Sequence, residues 1–426
     1  MSTAQPAGAL TGRWFQVRPG EWSPTVLAFC YFGLLLASYY TLRPVRDALV
    51  TSVIGAEEIR FGFLATFGVM LALVPVFGSL AARLPRRRLI PVVYVFFIAS
   101  ILVIRGLFGQ HEGERWLAYF FFVWLSVFNL FVVSVFWSFM ADIFDEEAAR
   151  RLFGPIAAGG SVGAIVGPLI TRTTVEAIGV ADLMLVSAVL LGGALGCMLL
   201  LARRAPRDRV IAAEPMGGSP LEGLRLAVSR PFLRGVTGFM ILGTLTGSLL
   251  YLFQVQLAAQ VAEDTDQLAA FFASVDLAVN FVSILCQLLL TGRILARLGV
   301  GKTLAILPLL VLLGFAVLAA FPVLAVAIAM QILRRSVLFS ITNPVSQMLF
   351  TVVGPRSKYK FKNFLDTAVY RAGDTTGSWV FAGLMGVAGL PAVAAFGAVA
   401  GIAFIMLSGW IGRRFEAISN SGDAPP

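Results

Sequence analysis

Apolar runs of about twenty residues, parted by short turns rich in charge, glycine or proline, recur along nearly the whole chain. A helix of that length spans a hydrocarbon core of about 30 Å. Twelve such runs begin near Pro24, Phe61, Leu89, Leu117, Phe153, Leu183, Phe232, Leu268, Thr303, Pro322, Phe364 and Pro391. None alternates with a two-residue period, so the pattern predicts helices and argues against a membrane β-barrel. The expected fold is an all-α membrane protein of twelve transmembrane helices.

The polar turns set the orientation. With the amino terminus taken as cytoplasmic, 24 of the 33 Lys and Arg fall in inner segments and six in outer ones: Arg43, Arg46, Arg60, Arg105, Arg115 and Arg172. Arg334, Arg335 and Arg371 fall within spans. That asymmetry places both termini in the cytoplasm of a multi-pass protein, expected in a plasma membrane such as a bacterial inner membrane. The expected organisation is a cytoplasmic segment 1–23, a six-helix half 24–202, a cytoplasmic linker 203–231, a second six-helix half 232–412 and a cytoplasmic tail 413–426.

The halves also repeat. At a constant offset of 214 residues, Gly78, Ala82, Arg83, Leu84 and Arg88 fall on Gly292, Ala296, Arg297, Leu298 and Lys302, and Gly159 and Gly163 fall on Gly373 and Gly377. A weak repeat at one offset marks a duplicated six-span unit, as in the major facilitator fold, whose halves rock about a central cavity. A monomer is expected, because each six-plus-six chain encloses its own pathway.

Composition narrows the function. The chain is 58% hydrophobic and 13% charged, with a mean hydropathy of +0.87, far from the soluble average. The net charge of +10 sits in inter-span loops, so no nucleic-acid partner is expected. Cys30, Cys197 and Cys286 lie in apolar runs and His111 in a loop, which leaves no disulfide framework and no metal site; no cofactor is expected. The start of the chain lacks the core and cleavage site of a removed signal peptide, and Trp14, Phe15 and Trp22 with Arg13 and Arg18 fit a membrane surface. The stretch ARLGVGKTLAIL, Ala296 to Leu307, approaches a P-loop, yet Ala296 replaces its first glycine and an apolar helix, not a strand, precedes it. A basic turn between spans is the expectation, and no enzyme.

Ionisable groups within spans cost about 2.5–3.5 kcal/mol each on insertion scales and therefore mark pathways. Arg43, Arg46 and Asp47 share one helix face around Pro44; they line the pathway if the first helix runs on to Val50, or form an outer loop if it ends at Leu42. Tyr251, Gln254, Asn280, Gln331, Arg334 and Arg335 complete the candidate substrate site, with Asp276 four residues before Asn280. The alternatives are a structural polar seam for Asp276 and Asn280, and snorkelling to the interface for Arg334 and Arg335. Asp366 could pair with Lys362 and Tyr370, and Arg371 with Asp374; together with Asp276, Asp366, Arg371 and Asp374 are the coupling or gating candidates. Gly159, Gly163 and Gly167 form a small-residue ridge that serves close helix packing or a substrate contact. No catalytic residue is assigned.

At three segments the chain resembles the ATP/ADP translocase (nucleotide transporter) family, a twelve-span branch related to the major facilitator superfamily. These are LRPVRDALV (Leu42 to Val50), FWSFMADIFDEEAARRLFGPIAAGG (Phe136 to Gly160) and YKFKNFLDTAVYRAGD (Tyr359 to Asp374). The resemblance implies nucleotide exchange, with Arg46 where the family carries a functionally important lysine. Pro44 departs from the family's acid, and Asp374 stands where nucleotide exchangers have a lysine. The function expected is secondary active transport, by alternating access, of a small anionic solute: a nucleotide, or another metabolite carried with protons. The alternative is a membrane sensor or scaffold without net transport.

Overall fold

The computed structural model of this 426-residue protein describes residues 17–18, 20–83, 86–111, 113–204, 220–261, 264–353, 357, 361–362 and 364–421. The expectations attached to Arg13, Trp14, Phe15, most of the linker, Arg356, Lys358, Lys360 and the side chains of Arg83 to Arg88 lie outside them.

Helix α1, Trp22–Leu49, runs unbroken past Pro44 and continues as a π-helical turn, Val50–Ile54. The first run therefore extends to the far side of the charged cluster, and Pro44 does not end it. Helices α2 (Arg60–Arg83), α3 (Arg86–His111) and α4 (Arg115–Ile143) follow. Helix α5, Glu146–Arg204, breaks at Gly179, whose φ of 77° and ψ of 164° only glycine adopts without strain. After the short α6 (Pro220–Ser229) come α7 (Pro231–Ala258) and α8 (Thr265–Cys286). Asp264 caps α8 by accepting from the Gln267 N–H at 2.7 Å.

A π-helical turn, Gln287–Thr291, leads into α9 (Gly292–Leu304), then α10 (Ile306–Ala320) and α11 (Leu324–Val337). A further π-helical turn, Leu338–Thr342, joins α11 to α12 (Asn343–Met348). The last helix, α13 (Tyr370–Ser421), is entered through a π-helical turn at Leu365–Val369 and breaks at Ala388 and Gly389.

Among the described residues eight stretches are long and apolar enough to cross a bilayer. Two of them, Arg151–Arg203 and Leu365–Ser419, have the length of two crossings and contain the breaks at Gly179 and Gly389. Arg60–Leu73 and Ile306–Ala320 are shorter apolar helices. Large apolar side chains such as Val92, Val103, Val189 and Val387 face outward, as a lipid-facing surface requires.

The glycine ridge decides the tightest packing. A Cβ at Gly159 would overlap the carbonyl of Phe29, one at Gly163 that of Gly33, and one at Gly167 that of Ala37, so α5 lies backbone to backbone on α1. The residues 214 positions later repeat the contact: Gly373 meets Thr244 and Gly377 meets the Leu245 carbonyl, on α7. The pairs α1 with α5 and α7 with α13 are the most extensive helix contacts in the molecule. The P-loop-like glycine has the same use, because Gly301 lies in α9 against the Cα of Gly412.

Candidate functional site

Two buried carboxylates, Asp276 and Asp47, and a half-buried one, Asp374, organise the charged groups of the spans. Asp276, 2% exposed on α8, accepts from Arg335 Nη1 at 2.6 Å through one oxygen, while its other oxygen lies 3.6 Å from Arg43 Nε. Arg335 comes from α11 and Arg43 from α1, so one carboxylate ties helices on either side of the linker. Asp47 accepts from Arg46 Nε and Nη2 at 2.9 and 2.6 Å and from the Tyr251 hydroxyl of α7 at 3.0 Å. Asp374, at the start of α13, accepts from Ser248 Oγ at 2.9 Å and lies 3.6 Å from Arg371.

Arg334 differs from its neighbours. It is 7% exposed, and among the described residues no carboxylate lies within ion-pair distance of it. Its Nε has no acceptor, and neither have Arg335 Nη2 and Gln254 Nε2. Neither arginine of α11 snorkels; both are enclosed. A buried guanidinium with no carboxylate at ion-pair distance is costly, which singles this group out.

Other candidates disperse. Asn280 donates to the Ala164 carbonyl at 2.7 Å and so helps join α8 to α5. Gln331 and Gln254 are buried, with Gln331 Oε1 lacking a donor. Asp366 is exposed, and Lys362 donates instead to Gln347 Oε1 at 2.9 Å.

A cavity of about 240 Å³ lies between α1, α5, α8 and the turn after α11, lined by Tyr40, Gly160, Asn280, Gln287 and Phe339 among others. Two of its rings carry the central arginines: the Arg43 guanidinium sits 5.7 Å from the Tyr40 centroid, and that of Arg335 5.9 Å from Phe339. Tyr40, Phe339, Ser248 and Gly247 were not candidates from sequence. The signal was present for the rings, since Tyr40 lies three residues before Arg43 and Phe339 four after Arg335 on the same helical faces.

Toward the Ile54 end of α1 the helices before and after the linker are laced together. Thr265 Oγ1 donates to Ser52 Oγ at 3.1 Å, the Val180 N–H donates to Asp266 at 3.0 Å, and Phe61 stacks edge-on against Trp379 at 5.6 Å. At the Trp22 end, Glu21, just before α1, is tied to α5. There Glu21 accepts from both Nη atoms of Arg151 at 2.8 and 2.9 Å and from the Arg18 N–H at 2.8 Å. The Arg151 bonds, then the Arg18 N–H, hold the Glu21 carboxyl down at about 2. Arg18 also pairs with Glu147.

The family model described as Major Facilitator Superfamily matches residues 27–373. ADP,ATP carrier protein 1 of Chlamydia trachomatis serovar D is 24% identical over 410 residues, 84% of this chain and 75% of that protein. The nucleoside transporter NupG superposes with a TM-score of 0.63 at 15% identity, covering 94% of this chain and 98% of that one. A bacterial homolog of the human lysosomal transporter Spinster, inward-facing and unoccupied, gives 0.58 at 15% identity, covering 95% and 98%. At such identities these structures share the fold. Matched by the family model over most of its length, the chain belongs to the Major Facilitator Superfamily and is a multi-pass membrane transporter.

Proposed function

We propose that the protein is a secondary active transporter of a small anionic solute, with 24–202 and 232–412 as two six-helix halves that rock about the arginine site. The breaks at Gly179 and Gly389, which divide two long helices, support twelve crossings. The observation that carries the reading is Asp276, buried between Arg43 of one half and Arg335 of the other beside a cavity. Arginine suits the anion role because its planar fork pairs with phosphate or carboxylate and stays charged.

In this reading Arg43, Arg334 and Arg335 take the anion, with Gln254 and Gln331 nearby. Arg46, Asp47 and Tyr251 form a tie that parts when the Ile54 side opens. Asp276, Arg371 and Asp374 are the gating or coupling groups. The laced Ile54 side and the cavity on the other side of the arginines correspond to an inward-facing state, with both termini in the cytoplasm and one chain as the working unit. The name of the chlamydial relative makes ADP and ATP the first solutes to try.

The test is uptake by proteoliposomes of labelled nucleotides, phosphate, sulfate and dicarboxylates, with and without counter-solute inside. Accumulation above protein-free vesicles that vanishes in Arg335→Gln is the expected result. A folded protein that moves none of them, and binds none, is a sensor or scaffold.

A further inference from the structure

The charges of the cluster, some buried and some half-buried, do not balance. Arg46 is matched by Asp47 and Arg371 by Asp374, but Arg43 and Arg335 share the single charge of Asp276, and Arg334 has none. Five arginines therefore face three aspartates within the pathway, a surplus of two positive charges. Asp366, which would have lowered that surplus, is exposed and outside the cluster.

Both surplus charges stand next to unused donors. Arg334 Nε, Arg335 Nη2 and Gln254 Nε2 have no acceptor; the orphaned Arg43 Nε and Asp276 Oδ2, 3.6 Å apart, would satisfy each other on a small approach. The space for the Arg334 fork is kept by Gly247 on α7, where a Cβ would stand 2.7 Å from Arg334 Nη1.

We infer that the site is matched to a compact solute carrying two negative charges, with Arg334 as the ligand that only the solute neutralises and Gly247 as the residue that positions it. This rests on the transporter reading above. A monoanion leaves one buried guanidinium uncompensated, and a trianion buries a charge of its own with no partner, each a costly state at low dielectric. The cavity of about 240 Å³ beside the rings that hold Arg43 and Arg335 is smaller than the roughly 300–1,000 Å³ usual for drug-sized ligands, which favours a compact solute; Arg334 lies outside its lining, against Leu250, Gly314, Phe315 and Met330.

The experiment is ligand-induced thermal stabilisation of the purified full chain by acetate, sulfate, inorganic phosphate, succinate and ADP at matched ionic strength, joined to uptake of the same solutes. The expected result is binding of sulfate, phosphate or succinate at least tenfold tighter than acetate or ADP. Arg334→Gln should lose that preference at least tenfold while melting no lower than wild type, because it removes an uncompensated buried charge. Gly247→Ala, which keeps every charge, should weaken the dianion and leave acetate unchanged.

Tightest binding and uptake of ADP, of a monoanion or of a neutral solute would overturn the dianion assignment and leave the transporter reading standing. A lower melting point for Arg334→Gln with unchanged dianion affinity would make Arg334 structural and also overturn it. No binding and no uptake in any arm would remove both readings together.

Discussion

Arg43 and Asp276 meet at 3.6 Å across the junction of the helices that precede and follow the linker, while Asp276 keeps its shorter bond, 2.6 Å, for Arg335 on its own side. Asp47 divides its partners the same way, with Arg46 at 2.6 Å on its own helix and Tyr251 at 3.0 Å across the junction. In both cases the contact between halves is the longer one. In the proposed rocking of two halves, these contacts would let them separate while each carboxylate stays neutralised, which avoids the cost of a bare buried carboxylate.

Removing Asp276 should expose that cost. Asp276→Asn leaves Arg43 and Arg335 without a counter-charge and is expected to destabilise the protein by about 3–5 kcal/mol, the range for breaking a buried pair from one side. Asp276→Asn with Arg335→Gln should recover part of the loss, because it also removes a surplus charge. Unfolding midpoints in detergent of these two variants and of Arg335→Gln alone check this, and losses that simply add would mean that the pair is not coupled.

Arg43→Gln should behave differently. It removes the longer contact and leaves the Asp276–Arg335 bond in place, so the stability loss should stay well below that of Asp276→Asn. Its effect should fall on the conformational equilibrium, read as increased labelling of a cysteine placed at Ser52 on the laced side. Unchanged labelling would mean that Arg43 does not hold the halves together.

Much of this was legible in the sequence because hydrophobic spacing and the cost of intramembrane charge are local facts. The apolar runs, the glycine ridge and the Arg371–Asp374 pair can each be read within a few helical turns. The partner of Asp276 could not, because Arg43, Asp276 and Arg335 come from three separated helices and nothing in their spacing names one another. Asp366 differs for the opposite reason: its spacing to Lys362 fits a pair, yet the hydrogen bond of Lys362 goes to Gln347, fifteen residues back. The sequence left open whether the first helix ends at Leu42, before Pro44, or runs on to Val50; packing of α1 on α5 accompanies the longer course.

The ridge on α5 makes a packing prediction. Gly163→Ala places a methyl against the Gly33 carbonyl and the Ala37 N–H, main-chain atoms that cannot move aside as a side chain would. A loss of about 1–3 kcal/mol is expected, the usual cost of overpacking. Gly68→Ala, where a Cβ meets nothing within 4 Å, is the control and should be neutral. Thermal melts of both variants decide it, and a silent Gly163→Ala would mean that α1 and α5 are not in backbone contact.

The clasp at the Trp22 end is pH-dependent. The folded pKa of Glu21, about 2, lies below its ordinary 4.5, so the carboxylate contributes stability that is complete above pH 4.5 and lost as pH falls toward 2. The difference in unfolding midpoint between wild type and Glu21→Gln should be flat above that window and shrink within it. Because the pair is partly solvated, raised salt should reduce the difference. A difference independent of pH would show that Glu21 acts through packing and not through its charge.

The contact between Ser52 and Thr265 tests whether the laced side opens at all. Their hydroxyl oxygens are 3.1 Å apart, close enough for cysteines at the two positions to bridge. In a background with Cys30, Cys197 and Cys286 replaced by serine, Ser52→Cys with Thr265→Cys should oxidise readily and abolish uptake, with recovery on reduction. Each single cysteine should transport normally under the same oxidant, which separates the cross-link from damage. Alternating access requires the Ile54 ends of the two halves to part once per cycle, so a covalent tie there must stop turnover while binding from the opposite side persists. Full uptake by the completely cross-linked protein would mean that the solute takes a route that never separates α1 from α8.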